Sequence, residues 1–182
     1  MKRRDVYNLV LAAMFLALAF VLPQIMKSIP FFVSANLGTK ILPMHIPVLL
    51  CGFICGYYYG LSVGFIAPLL ASLITTMPPM YPVAISMAFE LAAYGLVAGL
   101  MYKATSKLKI NYVLKIYIDL ITAMLAGRVV MGVVNMLLLT NAKYGLNVFL
   151  ADAFVNALPG IIIQLILIPA ILIILRKAKY IK

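Results

Sequence analysis

Apolar runs about as long as a membrane-spanning helix follow one another along this chain, each closed by a proline, a glycine or a group of charges. A helix that crosses the hydrocarbon core needs about 20 mostly apolar residues. The pattern predicts six spans in one domain over residues 1–182. The first covers about Tyr7 to Leu22 and stops at Pro23. A longer outside segment, Gln24 to Leu42, has Ile29 to Val33 as its apolar centre; it is too short to cross again and is expected to lie over the outer mouth. Pro43 and Pro47 open the second span, because the first helical turn tolerates residues without an N–H. Spans two and three meet at Tyr57-Tyr58-Tyr59-Gly60, and Met77-Pro78-Pro79-Met80-Tyr81-Pro82 forms a rigid outside connection before the fourth span, Val83 to Tyr102. The fifth is expected over Val113 to Leu139 and the sixth over Val148 to Leu175, both long enough to tilt.

The charges settle which side is which. Lys2, Arg3 and Arg4 precede the first span, Lys103, Lys107, Lys109 and Lys115 lie around the connection between the fourth and fifth, and Arg176, Lys177, Lys179 and Lys182 close the chain. An even number of spans brings these three basic segments to one face, and the positive-inside rule makes that face cytoplasmic, with both termini inside. The opposite connections carry only Lys27, Lys40 and Lys143. The net charge of +11 would raise the question of nucleic acid in a soluble protein, but here it marks helix ends at a membrane surface. With 66% hydrophobic and 10% charged residues, a lipid-facing exterior is required and the bilayer is the expected surrounding partner. The basic head and Ala17-Leu18-Ala19 resemble a secretory signal, but the apolar run continues through Leu22, so the segment is read as a retained span.

Gly52, Gly56, Gly60 and Gly64 recur every four residues, a stripe along which helix backbones can approach closely. Cys51 and Cys55 share one apolar face, read as packing rather than metal ligation.

Polar groups inside a span are costly and need a partner, a cavity or water. Glu90 in span four, Arg128 and Asn135 in span five, and Asp152, Asn156 and Gln164 in span six are the informative ones. At 1.5 Å per residue, Glu90 is expected about 12 Å and Arg128 about 18 Å below the outer helix ends, close enough to pair. His45 and Tyr81 stand near the outer ends of spans two and four. The expected picture is a polar pocket facing outward above an apolar, glycine-rich base. Two readings stay open for Glu90 and Arg128: a ligand contact, or a buried pair that fixes helix packing, with Asn135 and Asn156 as interhelical hydrogen-bond glue. Arg128 could hold a substrate carboxylate through its fixed fork of donors, unless Glu90 already neutralises it. Gln164 is read as packing.

Enzyme signatures are missing. There is no paired-His helix for a metal, no Gly-x-Ser-x-Gly elbow, no P-loop, and only four acidic residues in the whole chain. Asp119 follows Lys115 by one helical turn and is expected to pair with it. No catalytic residue, cofactor or metal is assigned, and any pumping must be energised by another protein or an ion gradient.

The combined order of these motifs resembles a known family. Ala13-x-x-x-Ala17 in span one, Pro43-Met44-His45-Ile46-Pro47-Val48-Leu49-Leu50-Cys51-Gly52, the Met77 to Pro82 connection running into Phe89-Glu90-Leu91, and Leu125-Ala126-Gly127-Arg128 together look like a substrate-binding S component of an energy-coupling factor (ECF) vitamin transporter. The resemblance covers almost the whole chain. It implies an all-α, S-component-like bundle in a bacterial-type plasma membrane, which captures a small water-soluble vitamin or precursor from outside. It also implies docking on a transmembrane coupling protein powered by two cytoplasmic ATPases, with Ala13 and Ala17 facing the coupling protein. Substrate contacts would come from the outer connections and the outer ends of spans four to six, the region of the polar residues above. A small carboxylate-bearing vitamin such as pantothenate is favoured over niacin, pyridoxine-like or folate-type compounds. Two other classes compete: a self-sufficient secondary transporter or channel, which needs a polar path to the cytoplasm, and a non-transport membrane-assembly subunit.

Overall fold

The computed structural model describes residues 3–30, 41–108, 110–139, 147, 149, 151 and 155–178, and its regular elements are all helical among these. In order they are α1 Arg3–Ser28, α2 His45–Cys55, α3 Tyr57–Thr75, a π-helical turn Met80–Ala84, α4 Ile85–Thr105, α5 Tyr112–Leu138 and α6 Leu158–Lys177. Five of these segments, with the turn and α4 taken together, are long and apolar enough to cross a membrane. The exception is α2. Its 11 residues rise about 16 Å, roughly half of a 30 Å hydrocarbon core.

Three expected boundaries change. The second span starts as predicted behind Pro43, but its helix begins only at His45 and ends at Gly56, whose φ of 97° lies where a side chain is strained. The short α2 is buried along its length, from His45 through Phe53 and again at Cys55, so it is a central rod rather than a lipid-facing span. Pro23 does not stop the first helix, since α1 continues to Ser28. A proline costs one intrahelical bond and is tolerated in membrane helices. Gln24 and Lys27 therefore belong to the last turns of α1 and not to an outside loop. The sixth helix starts at Leu158, with Pro159 in its first turn, and Asn156 N donates to Ala151 O in the turn ahead of it. The expected fifth span is found almost unchanged, and the Asn111 side chain accepts from Val113 N at its start.

Side-chain contacts fix which ends lie together. Tyr59 Oη donates to Asp5 O, joining the start of α1 to the turn between α2 and α3. Lys103 at the end of α4 stands 5.5 Å from the Tyr57 ring centre, and Arg176 at the end of α6 lies 3.8 Å over Tyr112 at the start of α5. The basic ends of the helices thus share one face with a belt of tyrosines, as the charge pattern required. At the opposite face Tyr81 Oη donates to Leu138 O, 2.7 Å away, tying the proline-rich connection to the end of α5.

The centre of the bundle is α4, which packs against α2, α3 and α5. The packing is backbone against backbone. A Cβ on Gly95 would run into the Gly60 backbone, one on Gly64 into the Leu91 carbonyl, and one on Gly52 or Gly60 into the Gly95 carbonyl. The glycine stripe accordingly serves close approach at three of its four positions, while Gly56 has open space around it and serves the turn. Around this centre α1 presents exposed Val6, Val10, Met14, Leu18, Val21 and Ile25, as a helix facing hydrocarbon must.

Candidate functional site

A cluster of buried polar and charged residues joins three helices. Arg128 Nη1 of α5 donates to Glu90 Oε1 of α4 across 2.8 Å, and His45 Nε2, at the start of α2, is 3.5 Å from the same oxygen. His45, Glu90 and Arg128 are 1%, 2% and 5% exposed. Three helices thus each contribute one residue, and the short α2 explains the meeting: its first residue is buried inside the bundle beside Glu90 because the helix is only 11 residues long. The Tyr94 ring packs edge-on against His45 with centroids 5.3 Å apart, and Met131 Sδ lies 3.7 Å from Arg128 Nη1. Arg128 Nε and His45 Nδ1 are buried without hydrogen-bond partners. A buried polar group without a partner is costly, which makes this cluster a candidate for completion by a ligand or water.

Above the start of α2 is a cavity of about 390 Å³, within the range of about 300–1,000 Å³ that small-molecule sites occupy. The last turns of α1 supply Pro23, Gln24 and Lys27; the segment into α2 supplies Leu42, Pro43, Met44 and His45; the connection to α4 supplies Met77, Pro78 and Pro79, with Val83 and Met87 beyond it. Leu42 holds a left-handed backbone at φ 53° on the cavity lip. The wall is almost wholly apolar. His45 is the residue common to the cavity and the charged group beneath it.

The expected site residues divide. His45, Glu90 and Arg128 are brought together. Tyr81 is 61% exposed, and its hydroxyl bonds to the end of α5. Asn135 lies two turns above Arg128 on α5, half-buried, and Asn156 is exposed ahead of α6. Asp152 lies outside the described residues. Gln164 is buried in α6 with both amide atoms unpartnered, and it stands about 9 Å from the start of the helix, nearer the outer face than expected. Ala13 and Ala17 are both exposed on α1.

Two residues escaped the sequence reading. Gln24 and Lys27 line the cavity only because α1 runs on past Pro23; their three-residue spacing on a continued helix was the available signal. Asp119 keeps the attraction to Lys115 that its spacing predicts and adds a hydrogen bond from another helix. Its Oδ2 accepts from Thr105 Oγ1 at 2.9 Å, bridging α5 to α4, while Lys115 Nζ stands 4.7 Å over the Tyr102 ring. A fully buried carboxylate therefore sits in the inner third, which the sequence had read as apolar. Cys51 and Cys55 are buried free thiols inside the apolar core, as packing residues should be. The described residues contain no group of three or more His, Cys, Asp or Glu able to hold a metal.

A helical bundle whose basic face carries both ends of the described chain and whose opposite face opens on a small-molecule cavity defines a polytopic membrane protein built to receive a ligand. Across residues 7–174 the chain matches the family described as ECF transporter, substrate-specific component. The protein belongs to that family: it is a substrate-binding subunit of a transporter. Comparison with curated proteins and with solved structures returned no match.

Proposed function

We propose that this subunit captures a small water-soluble vitamin or vitamin precursor, such as pantothenate, on the outer face of a bacterial-type plasma membrane. It delivers the ligand inward by associating with a transmembrane coupling protein driven by two cytoplasmic ATPases. The observation that carries the reading is the cavity over the His45–Glu90–Arg128 group, at the face remote from the basic segments. In this proposal the three residues form the polar floor of the site. Tyr81, Asn135 and Asn156 are assigned to its outer rim, where Tyr81 ties the connection before α4 to the end of α5; Asp152, outside the described residues, is assigned there from its place in the sequence alone. Ala13 and Ala17 form the docking surface, because small exposed residues let a partner helix lie flat on α1.

The reading has no use for a nucleotide site in this chain, and its energy must come from a partner. Uptake of labelled vitamins by cells expressing the chain with and without the coupling protein and ATPases tests it. Uptake is expected only in the complete system. Equal uptake by the chain alone would favour a self-sufficient carrier, and no uptake or binding of any vitamin would favour an assembly role.

A further inference from the structure

Within the cavity, the charges and the apolar wall together narrow the ligand. The guanidinium of Arg128 is already neutralised by Glu90 at 2.8 Å, and the ion pairs among the described residues are those of Glu90 with Arg128 and with His45. Lys27, on an exposed turn of α1 at the cavity edge, carries a positive charge that no described carboxylate balances, and the described lining contains no Asp or Glu. One turn before it on α1, Gln24 Nε2 is buried with no acceptor. His45 lines the same space, with Nε2 towards Glu90 and Nδ1 unpartnered. The start of α2 adds the positive end of a helix dipole. Apart from the amide oxygen of Gln24 and His45 Nδ1, which is an acceptor when Nε2 carries the ring proton towards Glu90, the polar side-chain groups offered to a ligand are donors or cations. They sit among Pro23, Pro43, Pro78, Met44, Met77 and Met87. Thioethers and proline ring faces pack well on flat or branched apolar bodies, and an apolar surround strengthens attraction to an anion.

We infer that the cavity between the outer end of α1, the start of α2 and the connection into α4 receives a small monocarboxylic acid with an apolar ring or branched body, its carboxylate held by Lys27 and Gln24. The assignment rests on the capture reading above, and it moves the carboxylate receptor from Arg128 to α1. Arg128 and Glu90 then act beneath the ligand, holding His45 in place. A cationic vitamin is disfavoured in this compartment by Lys27, and a neutral one gains nothing from it.

Matched probes separate charge from shape. Purified full-length chain in nanodiscs is titrated with nicotinate against nicotinamide and with pantothenate against pantothenol. In at least one pair the acid is expected to bind at least tenfold more tightly than its neutral partner. Lys27→Gln should bring that ratio to within about twofold, the loss falling mainly on the acid. Val83→Trp, which fills the cavity, should remove binding of both. Lys27 ends an exposed turn of α1, so its replacement is not expected to disturb folding. Retention of the acid preference by Lys27→Gln, undiminished binding by Val83→Trp, equal affinity within both pairs, or no binding of either acid would each overturn the assignment. Failure of the capture reading itself is seen separately, as absence of coupling-dependent uptake of any vitamin.

Discussion

Glu90 holds two partners at once, and removing either neighbour has a different physical consequence. Taking away Arg128 leaves a carboxylate buried with only a 3.5 Å contact to His45, a loss of about 3–5 kcal/mol for a broken buried pair. Arg128→Ala and Glu90→Gln are therefore each expected to reduce the yield of folded protein, while Arg128→Met combined with Glu90→Leu should recover most of it, because an apolar replacement of similar volume removes both charges. If the pair also floors the ligand site, the recovered double variant still binds ligand at least tenfold more weakly than the parent. Thermal unfolding followed by size exclusion, with titration of the surviving material, reads both quantities. Wild-type affinity in the double variant would make the pair purely structural. At this scale the sequence showed that Glu90 and Arg128 were deep enough to meet. It did not show that His45 joins them, since its depth depends on how short α2 is.

At the scale of elements, the glycine stripe decides how closely α2, α3 and α4 approach, and its members are not equivalent. Gly95 faces the Gly60 backbone, so Gly95→Ala must push two helices apart, and neither backbone can yield locally. Gly127 faces only the Tyr94 ring, whose nearest carbons lie 3.0 Å from where an alanine Cβ would stand, and a ring can tilt. Gly95→Ala is expected to lower the melting temperature in detergent several times more than Gly127→Ala. Equal effects would show that α3 and α4 have room to separate. The repeat every four residues was legible in the sequence because close helix contacts require it. The facing pair on α4, Gly95 and Gly99, carries the same four-residue spacing, but a spacing alone does not say which stripe meets which; only the structure sets Gly95 against Gly60 and Gly99 against Tyr57. Proline had the opposite weakness: Pro23 looks like a stop, yet neighbouring helices and lipid leave α1 no better alternative than to continue.

For the whole molecule, the exposed face of α1 separates capture from delivery. Ala13 and Ala17 are exposed and one turn apart, so bulky replacements project from the bundle without entering its core. Ala13→Trp with Ala17→Trp is expected to leave vitamin binding by the isolated subunit nearly intact and to reduce ATP-dependent uptake and co-purification with the coupling protein strongly. Titration of the solitary variant beside uptake in vesicles holding the complete complex measures the two effects. Unimpaired uptake with both tryptophans present would exclude this face as the docking surface.

By itself the sequence determined the all-helical class, the near-complete set of spans, the gathering of the basic helix ends on one face and the family, because hydrophobic length, charge at helix ends and motif order are one-dimensional quantities set by the bilayer. Where the chain departs from those regularities, only the tertiary structure decided. It shortened α2 to 11 residues, carried α1 through Pro23, and so brought Gln24, Lys27 and His45 around one cavity. The physical reason is that a bilayer specifies how much apolar surface a segment must show, whereas the depth at which a helix begins is set by what packs against it. For α2, buried on all sides by its neighbours, that packing left the space above His45 open.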